Sequence, residues 1–167
     1  NINKTESTIS RINTASKIAQ YYNLPTSLFI INIAKGSQGI TNQDELHNQW
    51  KTNRVDSDLD NLHPRASHYI TTVLYQLQMQ GLEPYVVGID WNQWEAENQQ
   101  LTVAQYLSSY TSFFETFDAI MPNSDYKLFI CNPTSTYYTN VVGLAETFRQ
   151  LALARSNTII YKPDELS

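Results

Sequence analysis

The sequence predicts an α/β fold, a parallel sheet lying between helices. Three observations carry that expectation. Apolar runs of strand length alternate with helical stripes, in the order α-β-α-β-α-β-α-β. The runs are nearly continuous in apolar residues, as in strands buried on both faces. The chain has 167 residues, enough for one domain, spanning 1–167, with a substantial core.

The elements follow in order. Ile9, Ile12, Ala15, Ile18, Ala19 and Tyr22 fall on one face of a helix. "SLFIINIA", Ser27 to Ala34, is an apolar run between Pro25 and Gly36 and predicts a strand centred on Ile31. A polar stretch from Ser37 to Leu62 is long for a connection, and long loops are often functional. Ala66, Tyr69, Ile70, Val73, Leu74 and Leu77 form the next stripe, with Pro64 near its start and Gly81 past its end.

"YVVGIDW" predicts a strand centred on Val87. Val103, Ala104, Leu107, Tyr110, Phe114, Phe117 and Met121 predict a helix, and Thr102 with Gln105 has capping-box spacing at its start. "YKLFICN" predicts a strand centred on Phe129. Val141, Leu144, Ala145, Phe148, Leu151 and Ala152 predict a helix, and "NTIIY" a last strand centred on Ile159. Helices are expected on both faces. A doubly wound chain normally begins with a strand, and this one begins with a helix. The expectation is therefore a sheet lacking its first strand, truncated at both ends. A further segment or a partner chain would complete it.

Bulk properties narrow the partners. Hydrophobic residues make up 41% and charged residues 16%, with a net charge of -5. No Lys/Arg run is present, which argues against nucleic acid, since phosphate binding needs clustered cations. A neutral sugar fits better. Nothing is long and apolar enough to span a membrane, so no membrane partner is expected. Cys131, the single cysteine, reads as a buried small hydrophobe. There is no signal-peptide pattern and no initiating Met, so a longer polypeptide is expected.

Two strand ends carry the informative residues. "IAKGSQGI", Ile33 to Ile40, offers glycines and small residues whose backbone N–H groups can hold a phosphate or an oxyanion; a simple turn is the bland alternative. It is neither a P-loop nor a dinucleotide fingerprint. "VVGIDWNQWEAEN", Val86 to Asn98, releases Trp91, Gln93, Trp94, Glu95 and Glu97 from a buried strand. In parallel α/β sheets ligands bind at that edge. Gln93 offers an amide N–H, and Trp91 and Trp94 could wall a sugar ring.

"IAKGSQGI", then Trp50, then "HYITTVLYQLQMQGLEPYVVGIDWNQWEAEN" resembles the SGNH hydrolases, in particular carbohydrate O-acetylesterases of the sialic-acid-acetylesterase and acetylxylan-esterase kind. Those proteins carry a strand ending in Ala-x-Gly-Gly-Thr, a downstream Trp, a Tyr-containing helix and a strand ending in Trp-x-Gln-Gly-Glu-x-Asp. The resemblance implies a three-layer α/β/α sandwich, flavodoxin-like in outline. It implies removal of acetyl groups from a glycan by Ser-His-Asp chemistry.

Carried over, the oxyanion-hole glycine is Gly36, with Ser37 in the second glycine position, and the amide is Gln93. Trp50, Trp91, Trp94, Glu95 and Glu97 would line the substrate site, with Glu95 bracing the loop. Glu97 stands where the family has Asp, and Trp94 where it has Gly. The family's Gly-Asp-Ser nucleophile motif does not occur here, nor does an Asp-x-x-His after the last strand. Both would lie on flanking sequence. The alternative is a non-catalytic carbohydrate-binding or structural module, as in a phage tail or surface protein. The resemblance implies an extracellular, periplasmic or virion-associated setting.

Asp60-Asn61-Leu62-His63 has Asp-x-x-His spacing, but it precedes the helix leading to Gln93, and Asp60 and Pro64 suit a helix start. Asp60 and His63 are therefore a secondary catalytic alternative. Ser37 as a nucleophile lacks a placed base. His47 and His68 read as solvated or hydrogen-bonded imidazoles. No His/Cys/Asp cluster has metal-ligand spacing, so neither metal nor cofactor is expected.

Overall fold

The computed structural model describes residues 29–33, 38–41, 50–52, 61–92, 97, 101–132 and 141–161. The chain divides into two compact units, Asn1–Ala34 and Lys35–Ser167. The stripe from Ile9 to Tyr22 lies outside the described residues. Residues 29–33 carry no helix or strand, so the strand expected around Ile31 is not formed there. Phe29 and Ile30 are 58% and 50% exposed. An apolar run becomes a strand only where a ladder partner and a covering layer accept it.

The second unit holds α1 (Leu62–Met79), β1 (Gly88–Trp91), α2 (Val103–Asp118), β2 (Lys127–Cys131), α3 (Val141–Ala154) and β3 (Thr158–Tyr161). The three strands form one sheet, in the order β1-β2-β3, and both pairs are parallel. Ile89 pairs with Leu128 and Trp91 with Ile130, while Phe129 pairs with Ile159. The strands expected around Val87, Phe129 and Ile159 are thus present, the first displaced slightly toward Trp91. Val87 still takes part, because its carbonyl accepts the Lys127 N–H at 3.0 Å.

Local chemistry sets the helix ends. Pro64 stands in the first turn of α1, where a missing N–H costs nothing. At its other end Gly81 adopts φ 76°, its N–H bonds Gln78 O at 2.9 Å and Leu82 N–H bonds Leu77 O at 3.1 Å. This is a Schellman stop, and it needs the left-handed residue that glycine supplies. α2 begins in the expected capping box: Thr102 Oγ1 accepts the Gln105 N–H at 3.3 Å, and Gln105 Oε1 accepts the Thr102 N–H at 3.0 Å.

The strand order steps in one direction, so right-handed crossovers place α2 and α3 on the same face. Burial agrees. Leu128 and Ile130 of β2 are fully buried, as are Tyr110, Phe113 and Phe114 of α2 and Phe148 of α3. Tyr110 meets Phe148 edge to face at 5.0 Å, which locks the two helices together. On the opposite face Phe129 lies over Gly88, where an added Cβ would come within 2.9 Å of its ring, and Ile159 is 43% exposed. Among the described residues, one face of the sheet is helix-covered.

The edge holding the strand N-termini is tied by polar groups. Asp118, at the end of α2, takes both Arg155 guanidinium nitrogens at 2.7 and 2.8 Å and the Tyr126 hydroxyl. Asn157 Nδ2 donates to Tyr126 O at 3.1 Å. Burial opposes the Asp118 charge, but the Arg155 and Tyr126 hydrogen bonds outweigh it and hold the carboxyl below its ordinary range. No helix among the described residues is long and apolar enough to cross a membrane.

Candidate functional site

The carboxyl edge of the sheet is built outward from Trp91, the last residue of β1. Its ring is buried against Phe113 at 4.7 Å and Phe114 at 5.9 Å. Trp50, from the long polar connection, packs edge-on to Trp91 at 5.2 Å. Its own N–H donates to Gly39 O at 3.2 Å, which draws the turn after "IAKGSQG" to the same place. Both tryptophans are core rings here. They offer a ligand no exposed aromatic face, and their indole nitrogens are buried without a hydrogen-bond partner.

Glu97 is the centre of this edge. It is 4% exposed. Burying a carboxylate costs several kcal/mol unless donors replace its water. Four do so. Ile40 N–H donates to Oε1 at 2.6 Å and Tyr110 O–H to the same oxygen at 3.2 Å. Thr41 donates to Oε2 with its N–H at 3.0 Å and with its hydroxyl. Two successive main-chain N–H groups converging on one anion make a small nest. Gly39 makes room for it: a Cβ there would lie 3.0 to 3.2 Å from the carboxylate atoms.

The charge acts on its neighbours. Burial, then the Glu97 charge and hydrogen bond, push the Tyr110 phenol well above its ordinary value, so it stays a donor. The Trp91 N–H lies near enough to oppose this slightly, though it does not reach hydrogen-bond geometry. Tyr106 is raised by burial first and by Glu97 second. At the far side of the same edge Tyr161 O–H donates to Asp90 Oδ1 at 2.9 Å. Burial and that carboxylate raise the Tyr161 pKa.

The structure therefore brings together Trp50, Trp91 and Glu97 of the sequence-derived set. Gly36, Ser37, Gln93, Trp94, Glu95 and Asp60 lie outside the described residues. Gly39, Thr41 and Tyr110 belong to the site and were not picked out from the sequence as site residues. The signal for Gly39 was present, as the second glycine of "GSQG", whereas Tyr110 looked like one more member of an apolar stripe.

His63 is buried at the start of α1, between Phe113 at 5.5 Å and Phe117 at 5.7 Å. Its Nε2 lies 2.7 Å from Thr116 Oγ1, and that hydroxyl donates to Phe113 O at 2.6 Å. The hydroxyl proton is thus used, so Nε2 carries the imidazole proton and donates. Burial lowers the His63 pKa. Among the described residues no three His, Cys, Asp or Glu side chains group as metal ligands would.

Comparisons with family models, with curated proteins and with solved structures return no match.

Proposed function

We propose that this chain is the central part of a carbohydrate esterase that removes O-acetyl groups from a glycan. One observation supports the reading most. The turn that follows "IAKGS" and the loop that follows β1 meet at Glu97, at the carboxyl edge of a parallel sheet. Those two segments carry Gly36 and Gln93, the residues that the resemblance to SGNH hydrolases assigns to the oxyanion hole. Their N–H groups would stabilise the negative charge that forms on the carbonyl oxygen when a serine attacks the ester. The serine and its His-Asp pair would come from flanking sequence, and a further segment or a partner chain would supply the first strand of a three-layer sandwich.

A second reading is a carbohydrate-binding or structural module that keeps the sheet and lacks the triad. The placement of His63 favours it, because the Asp60–His63 segment, which has Asp-x-x-His spacing, commits its histidine to the core. One experiment separates the two. Residues 1–167 and a longer polypeptide carrying both flanking segments are assayed on an aryl acetate and on acetylated xylan. The esterase reading expects turnover from the longer polypeptide alone. Binding of acetylated xylan without turnover by either supports the module, and neither binding nor turnover discards both.

A further inference from the structure

We infer that Tyr85, with Asp125 and Lys127 beside it, forms a second binding site, at the amino edge of the sheet, for a pyranose ring of a neutral glycan. The inference rests on the glycan reading for its ligand class, but its place is separate. Tyr85 precedes β1 and Asp125 precedes β2. Six residues, at about 3.3 Å each in extended chain, separate Tyr85 from Trp91 at the carboxyl edge.

The first observation is an exposed ring that is held still. Tyr85 is 60% exposed, yet its hydroxyl donates to Asp125 Oδ2 at 2.6 Å. Asp125 is held in turn, because Asn123 Nδ2 donates to its Oδ1 at 2.9 Å. Asn123 is clasped to the main chain of Val86, accepting its N–H at 2.8 Å and donating to its carbonyl at 2.9 Å. The Tyr85 ring is thus anchored at its root and at its tip. Tyr69 and Tyr75 are exposed as well, but no hydrogen bond among the described residues holds their hydroxyls. A ring whose rotamer is already fixed loses little freedom when a ligand settles on it.

The second observation is which polar groups remain open. Both Asn123 amide hydrogens are in use. A carboxylate has about four lone-pair sites, and the Tyr85 and Asn123 side chains occupy two on Asp125. Those two hydrogen bonds, with smaller help from its own main-chain N–H and the Lys127 charge, lower the Asp125 pKa, so it stays an ionised acceptor. The Asn123 clasp alone ties the two strand entries together. The exposed ring and its carboxylate go beyond that need.

These groups match one chemistry. The C–H face of a pyranose is apolar and flat enough to lie on a tyrosine ring. Its hydroxyls donate to Asp125 and accept from the Lys127 ammonium. Lys127 also disfavours a basic ligand, which would otherwise suit an aromatic face beside a carboxylate. Asp125 and the net charge of -5 disfavour an acidic sugar.

The test is an amide NMR titration of the 1–167 chain with three neutral sugars, xylohexaose, cellohexaose and chitohexaose. Hexagalacturonate and tetralysine are the charged probes. The reporters are the Tyr85 and Asp125 main-chain amides and the Asn123 side-chain NH2, with the Ile40 and Thr41 amides reporting on the carboxyl edge. At least one neutral sugar should shift the amino-edge reporters saturably, and neither charged probe should. Tyr85→Ala and Asp125→Asn should each weaken binding about tenfold or more. Tyr85→Phe, which keeps the ring and frees its tip, should weaken it less than Tyr85→Ala, and Tyr75→Ala should leave it unchanged. If Asp125→Asn fails to fold, Lys127→Ala takes its place with the same expectation.

Four results overturn the site: no saturable shift of its reporters by any neutral sugar, shifts confined to Ile40 and Thr41, tighter binding of tetralysine than of the sugars, or equal losses in Tyr75→Ala and Tyr85→Ala. The esterase reading is decided separately, by turnover of an aryl acetate by the longer polypeptide. That substrate has no sugar for Tyr85 to hold, so either idea can fail while the other stands.

Discussion

The Glu97 carboxylate accepts the Ile40 main-chain N–H at 2.6 Å across 57 positions of sequence. This contact joins the two loops that the sequence marks as chemically unusual, and it does so inside the protein. Its energetic weight is open to measurement through the other two side chains that share the anion. Tyr110→Phe removes a hydroxyl bonded to a buried charge and should cost about 1–2 kcal/mol in denaturant unfolding. Thr41→Val should cost a similar amount. Because both act on one carboxylate, the double variant should depart from additivity by about 0.5 kcal/mol or more. Strict additivity would mean that the two hydroxyls do not share an acceptor.

His63 should give the protein a pH-dependent stability of definite sign. Burial lowers its pKa below the ordinary 6.5, so the fold prefers the neutral ring. Stability is then at its full value above pH 6.5 and falls as the pH drops toward the folded-state pKa, because the unfolded chain takes up the proton first. His63→Gln should flatten that part of the profile. Unfolding midpoints measured from pH 8 to 5 check it, and a histidine whose removal leaves the slope unchanged is not buried as described. A 15N spectrum should show the Nε2–H tautomer, since Thr116 Oγ1 gives its own proton to Phe113 O.

Much of the fold was legible because it depends on near neighbours in sequence. Thr102 and Gln105 announced the start of α2, and Gly81 the end of α1, through bonds spanning a few residues. Alternation of apolar runs gave three parallel strands. Ile31 failed for the complementary reason. An apolar run states a wish to be buried, but a strand needs a partner, and no local signal reports whether one is present. The site shows the same divide. Trp91 and Glu97 stood out by composition, yet whether a tryptophan faces a ligand or the core depends on Phe113 and Trp50, residues far away in the chain. Glu97 looked like a ligand contact and instead takes two main-chain N–H groups and two hydroxyls of the protein itself, and its pairing with Ile40 and Thr41 across more than fifty positions has no local signal.

The Asp118–Arg155 pair should matter modestly and in one pH range. Its geometry is bidentate, but the Asp118 side chain is 38% exposed, and solvent screens the attraction. Asp118→Ala should cost about 1 kcal/mol, including the lost Tyr126 contact. The Asp118 pKa is lowered in the fold, so its contribution is present above the unfolded value of 3.8 and disappears as pH falls through the folded one. Urea midpoints of wild type and Asp118→Ala should therefore converge between pH 5 and 2. A constant gap over that range would assign the effect to packing.

The last prediction concerns chemistry in a polypeptide that carries the flanking segments. If Gln93 donates to the oxyanion, Gln93→Ala should lower turnover about a hundredfold or more, the usual loss for one such donor. The loss should fall on kcat more than on KM, because the donor acts on charge that exists only in the transition state. Gln93→Glu should be worse, since a carboxylate repels the oxyanion. Steady-state kinetics on an acetylated sugar and on an aryl acetate provide the measurement. Using both substrates matters: the aryl acetate shares the ester carbonyl but not the sugar, so a true oxyanion donor should hurt both by a similar factor. A defect confined to the sugar substrate would move Gln93 to glycan binding, and an unchanged kcat on both would remove it from the mechanism.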